Sequence, residues 1–225
     1  MKIRLHFAAL LLLAGIVQAQ IVDRMVAVVN KRVILESELD QTARVESLLQ
    51  GKPFDGLTQA EKSAVLERLI DRSLLDEQIL NPAILDPSPV ELAAKVKEIR
   101  EGIAGAMADE RWQAVLAGYG ITQLDLEEQL AAQARILRFI DLRFRGLVSV
   151  EKDAIAAYYQ DKFLPEIHKR GVPEPKLADV SDKIEHVLME QRIDDLLATW
   201  LQTLRAQAHI ERMLPAPRSA SGATP

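Results

Sequence analysis

The sequence predicts a mainly α-helical protein with a small antiparallel sheet. Three observations predict it. Most of the chain is helix-period apolar pattern cut into lengths by cap signals. Two short β-branched runs, Met25–Val29 and Val33–Leu35, flank Asn30-Lys31 near the start. A last run, AHIERM (208–213), reads as a strand after the final helix.

Asn tolerates the left-handed backbone that a two-residue hairpin turn needs, so the first two runs are expected to form a hairpin. A helix begins at Glu36–Asp40, with Ser37 as its expected cap. Thr58-Gln59-Ala60-Glu61 is a capping box, in which the Thr hydroxyl accepts from a free backbone N–H and the Glu reaches back. The helix it opens carries Val65, Leu66, Leu69, Ile70, Leu74 and Ile79 close to one face and ends by Asn81-Pro82. Ser88-Pro89-Val90-Glu91 is a second box, with Pro at the first helical position, where its missing N–H costs nothing. That helix runs to about Gly102. A short helix follows over Ala108–Ala117, stopped by Gly118-Tyr119-Gly120. Thr122 caps the next, to about Phe144, and Ser149 another, to about Phe163. Pro165, Gly171, Pro173 and Pro175 mark a connector, and a long helix starts near Asp179.

The chain begins with Lys2 and Arg4, an apolar run from about Phe7 to Val17, and small residues at Val17 and Ala19. This is the pattern of a secretory signal peptide cleaved after Ala19, and the run is shorter than the ~20 residues a spanning helix needs. Cleavage would leave a soluble periplasmic chain of 206 residues and take the net charge from −5 to −7. An acidic chain without a basic block does not suit nucleic acid, because phosphate contacts need clustered cations. With no cysteine, disulfides, thiolate metal sites and cysteine nucleophiles are excluded.

No catalytic constellation emerges. There is no HExxH, no G-x-S-x-G elbow and no phosphate loop. His186 and Glu190 lie four apart on a predicted helix, but two ligands without a third do not make a metal site, and no metal or cofactor is expected. Asp125-Glu127-Glu128 and Asp194-Asp195 read as solvated helix faces. Trp112, Leu116, Tyr119 and Ile121 surround a glycine-flanked bend and are the candidate client-binding residues if they face outward. Their helical spacing weighs toward the alternative, that they fill the core.

The segment VDRMVAVVNKRVILESELD (22–40) resembles the opening of the SurA-type periplasmic chaperones, a V-x-A-V-V-N strand followed by V-I-x-E-S-E-L-D entering a helix. Val26, Ala27, Val28, Val29, Asn30, Val33, Ile34, Glu36, Ser37 and Asp40 carry the likeness. LERLIDRSLLDEQ (66–78), YGITQLDLEEQLAAQARILRFID (119–141), VSVEKDAIAAYYQDKF (148–163) and VLMEQRIDDLLATWLQTLRAQAHIERM (187–213) are similar to later segments of that family, in its order. The resemblance implies a helical N-terminal domain over 20–164. A connector over 165–178 stands where many members carry a parvulin-type prolyl isomerase domain. A helix and strand over 179–213 pack back on the N-terminal domain and pair with its hairpin, and a disordered tail covers 214–225.

The function implied is an ATP-independent holdase without catalytic residues. Its partners would be unfolded or partly folded exported polypeptides, outer-membrane β-barrel proteins among them, with no nucleic acid and no stable membrane insertion. A homodimer is left open. A peptidyl-prolyl isomerase and a dedicated envelope interaction module are the alternatives.

Overall fold

The hairpin forms where the β-branched runs predict it. In a computed structural model, which describes residues 23–214, β1 (Met25–Val29) and β2 (Arg32–Leu35) pair antiparallel around Asn30, whose φ of 53° is left-handed. Residues 1–19, read from the sequence as a signal peptide, and the part of the expected tail beyond Leu214 lie outside the described residues. The last strand, β3 (Ile210–Arg212), pairs antiparallel with β1, so the sheet order is β2-β1-β3 and the chain's far end adds to the hairpin on β1's open side.

Asn30 does more than turn the chain. Its Oδ1 accepts from the His209 backbone N–H at 2.9 Å and its Nδ2 donates to Glu77 at 2.7 Å. The hairpin turn is thereby tied both to the final strand and to the residue that follows α2.

Helix α1 (Glu36–Leu49) follows β2 directly. Ser37 does not cap it. Asp23 instead accepts from the Ser37 backbone N–H at 3.2 Å and also from the Ser37 hydroxyl, so a residue before β1 supplies the acceptor. Helices α2 (Gln59–Asp76), α4 (Pro89–Glu101) and α6 (Gln123–Phe144) each open on a complete capping box, at Thr58, Ser88 and Thr122. The four-residue α3 (Pro82–Leu85) fills the bend between α2 and α4. Helix α5 (Asp109–Tyr119) ends at Gly120, whose φ of 65° needs a residue free of a Cβ penalty.

Two expectations near the end differ. Ser149 caps nothing: α7 (Lys152–Tyr158) starts after Glu151, and the Ser149 carbonyl is held by Arg192. Pro165 does not end the helical run either. The chain widens into a π turn at Tyr159–Phe163, with the Leu164 N–H reaching back to the Tyr159 carbonyl, and α8 (Leu164–Lys169) continues through Pro165. A widened turn relieves the clash between a proline ring and the carbonyl one turn back. The link from α8 to α9 (Leu177–Gln207) is then residues 170–176 alone.

The core has three parts. The sheet, α1, α2 and the C-terminal half of α9 enclose Val26, Ile34, Leu39, Ile70 and Leu204. Helices α1, α4, α5 and α6 enclose Val45, Trp112, Leu116 and Leu126. Helices α7 and α8 and the N-terminal half of α9 enclose Ile155, Tyr159, Leu164 and Ile184.

Helix α9 serves two of these cores with two stripes. Leu177, Val180, Ile184 and Leu188 face the third core. After a five-residue step, Ile193, Leu197, Leu201 and Leu204 continue on a different face, the last three on the first core. That step turns the buried face by about 140°, against about 40° for a step of four. The turn leaves a concavity where α9 passes α6.

Candidate binding groove

The four residues singled out around the bend do come together. Trp112 is 1% exposed, and Leu116 and Ile121 are also buried, packed with Val45, Leu126 and Leu130. The Trp112 indole N–H donates to Gln123 Oε1 at 3.2 Å, and the Arg100 guanidinium lies 5.5 Å from its ring centroid. As folded, Trp112, Leu116 and Ile121 have almost no surface to offer a client; they hold α5 against α1 and α6. Tyr119 is half-buried and lines a hollow of about 640 Å³ with Phe54 and Ile103. Its carbonyl accepts from Arg44 at 2.9 Å.

His186, Glu190 and Asp125 are held by local contacts. His186 sits 4.0 Å from Glu190, and Glu190 is itself engaged by Arg145 at 3.0 Å. Among the described residues, no three of His, Cys, Asp and Glu are placed to hold a metal ion. Asp125 completes the α6 capping box and also accepts from Gln41 at 2.6 Å.

A different surface is open. Between α3, the C-terminal half of α6 and α9 lies a groove of about 700 Å³. Ile193, buried, and the half-buried Ile140 and Leu197 form its floor. Ile84 (74% exposed), Leu137 (60%) and Leu142 (75%) stand in its walls. Soluble proteins scatter single exposed leucines, whereas three large aliphatics converging on one concavity make this groove the candidate binding surface.

Ion pairs brace the walls. Arg138 bridges α6 to α3, donating to the Asp86 carbonyl at 3.0 Å, to the Leu85 carbonyl at 3.3 Å and to the Glu91 carboxylate. Glu91 is held below the usual carboxylate range, first by the backbone and hydroxyl of Ser88 and then by Arg138. Arg145 bridges α6 to α9 by binding both Asp141 and Glu190, which together raise its already high pKa.

Leu137 also lines a second groove of about 290 Å³ between α1, α2 and α6, where Leu49 is exposed beside the Glu46–Arg68 pair. The two grooves meet at that residue along α6.

Sequence reasoning passed over Leu137, Leu142 and Ile84. For the first two a signal existed. Helix α6 carries Leu124, Leu137 and Leu142 in excess of the stripe Leu126, Leu130, Ile136, Ile140 and Phe144 that one face can bury. Ile84 sits between the expected helix end at Asn81-Pro82 and the capping box at Ser88, in a segment to which the sequence assigned no element, so nothing local marked it.

Among the described residues, no helix is long and apolar enough to cross a membrane. No curated protein matches the chain. The SurA-like N-terminal domain family matches residues 2–139, from before β1 to within α6, and so covers more than half of the sequence. The matched residues take in the hairpin, α1 to α5 and most of α6, and the chain belongs to the SurA-like N-terminal domain family.

Proposed function

We propose that this protein is an ATP-independent holdase of the periplasm, exported by residues 1–19 and binding unfolded exported polypeptides, outer-membrane β-barrel proteins among them. The observation that carries the reading is the open apolar groove at α3, α6 and α9 on a SurA-like domain. Clients of this kind expose apolar side chains in water, and a chaperone without ATP must hold them weakly enough to let go. Covering Ile84, Leu137 and Leu142 recovers about 1–2 kcal/mol each. Much of that sum is offset by the cost of association, which leaves modest affinity and fast exchange. The reading assigns no catalytic residue: a prolyl isomerase needs polar groups around a twisting amide in an apolar pocket, and the groove's Arg138 and Arg145 are committed to bracing its walls.

The test is suppression of aggregation of an unfolded outer-membrane protein by the purified mature chain without ATP. Suppression at near-stoichiometric ratios is expected. No effect from a demonstrably folded chain would refute the holdase reading and favour a single dedicated envelope partner.

A further inference from the structure

The groove between α3, α6 and α9 is not electrically neutral. Five ionisable side chains line it: Arg138, Arg145, Asp141, Glu190 and Asp194. Arg138 is turned toward α3, spent on Glu91 and two carbonyls. Arg145 is one cation shared by two carboxylates, Asp141 and Glu190. Asp194 is exposed and has no hydrogen bond or ion pair among the described residues. Three arginines of α6 and α9 have partners elsewhere. Arg192 is bonded to the Ser149 carbonyl, Arg135 to Asp86, and Arg143 lies 4.3 Å from the Trp200 ring centroid. An apolar concavity of this size therefore carries an unpaired carboxylate beside its floor residues Ile193 and Leu197.

We propose that this groove selects apolar client segments flanked by lysine or arginine, with Asp194 as the charge contact and Ile84, Leu137 and Leu142 as the apolar one. The proposal rests on the holdase reading and adds the chemistry of the segment bound. About 700 Å³ is within the range that encloses a drug-sized molecule, so it takes the side chains of a short stretch of chain rather than a folded surface. A basic flank gains an ion pair with Asp194, whereas an acidic flank meets like charge from Asp194 and from the half-compensated Asp141 and Glu190. Partly exposed pairs of this kind discriminate by about fivefold at low salt.

The experiment is fluorescence anisotropy of two labelled short peptides with one apolar core, flanked by lysines or by glutamates, titrated with the purified mature protein. The lysine-flanked peptide is expected to bind about fivefold more tightly at low salt, the preference shrinking at ~0.5 M NaCl, where the screening length is about 4 Å. Asp194→Asn should remove most of the preference while leaving the glutamate-flanked peptide no weaker. Leu137→Gln, at a mostly exposed position where folding tolerates it, should weaken both peptides. Equal or tighter binding of the glutamate-flanked peptide, a preference untouched by Asp194→Asn, affinities untouched by Leu137→Gln, or no binding of either peptide would overturn the proposal. Aggregation suppression measured on the same preparations separates the two failures. Active protein with no peptide preference sinks the charge selection alone, and folded but inactive protein sinks the holdase reading beneath it.

Discussion

Glu67, on α2, receives two arginines from the far end of the chain. Arg205 Nη1 lies 2.6 Å from its carboxylate, and Arg212 donates through Nε at 2.7 Å and Nη2 at 3.1 Å. Arg205 also binds Asp71 at 2.6 Å. These bonds fasten α9 and β3 to α2 across more than 130 residues of sequence. The Arg212 hydrogen bond is the largest influence on Glu67; burial opposes it and Arg205 reinforces it, and the carboxyl falls from 4.5 to about 2.

The folded value lies below the unfolded one, so this carboxylate's contribution is complete above pH 4.5 and fades as pH falls toward 2. Taken at face value the shift corresponds to about 3 kcal/mol. The side chain is 40% exposed, and solvent screening brings the figure to about 1–1.5 kcal/mol. Glu67→Gln keeps the shape and one acceptor and removes the charge. It should lower stability by that amount at pH 7, read from urea denaturation, and lower the melting temperature by about 2–4 °C. At pH 3 the gap between variant and wild type should shrink to less than half. A gap of equal size at both pH values, or none at pH 7, would refute the assignment of the clamp to ionised Glu67.

Trp112→Ala should cost about 3–5 kcal/mol in urea denaturation, because it empties a fully buried site, and client binding per folded molecule should be unchanged. A normally folded variant that has lost aggregation suppression would return Trp112 to the binding surface. Arg72 and Asp76 face each other at 4.0 Å, with Arg72 Nε and Asp76 Oδ1 buried and lacking hydrogen-bond partners. Burial lowers the pKa of the first and raises that of the second, so both charges are disfavoured by folding. Replacing both, Arg72→Met with Asp76→Leu, should stabilise the protein by about 1–2 kcal/mol, whereas Arg72→Met alone should destabilise it by leaving Asp76 less compensated. A double variant less stable than wild type in the same assay would show that the pair contributes to folding as it stands.

The elements legible in the sequence are those whose partners lie within one turn. Thr58 with Glu61, Ser88 with Glu91 and Thr122 with Asp125 close their capping boxes over three residues, and Asn30 needs only its own backbone freedom to turn the hairpin. Ser37 and Ser149 have the right chemistry in the right place and fail as caps, since Asp23 reaches the first helix from across the hairpin and Arg192 takes the Ser149 carbonyl from α9. The likeness of five ordered segments to the SurA family extended this reach, because a family pattern carries long-range pairing that no local rule contains. The family match places the hairpin and the early helices in one domain, and β3 pairs with β1 as the likeness implied.

The groove was beyond either route. Leu137 and Leu142 are ordinary apolar residues on a helix, and Ile84 lies in the four-residue α3 more than fifty residues away. What makes them a site is the path of α9, whose buried stripe shifts between Leu188 and Ile193 so that one helix packs on two cores and leaves a hollow beside α6. By itself, then, the sequence determined the helices that open on capping boxes and the turn of the hairpin, because those depend on bonds between near neighbours. Only the tertiary structure decided which apolar side chains are core and which are surface, because burial depends on what the rest of the chain covers.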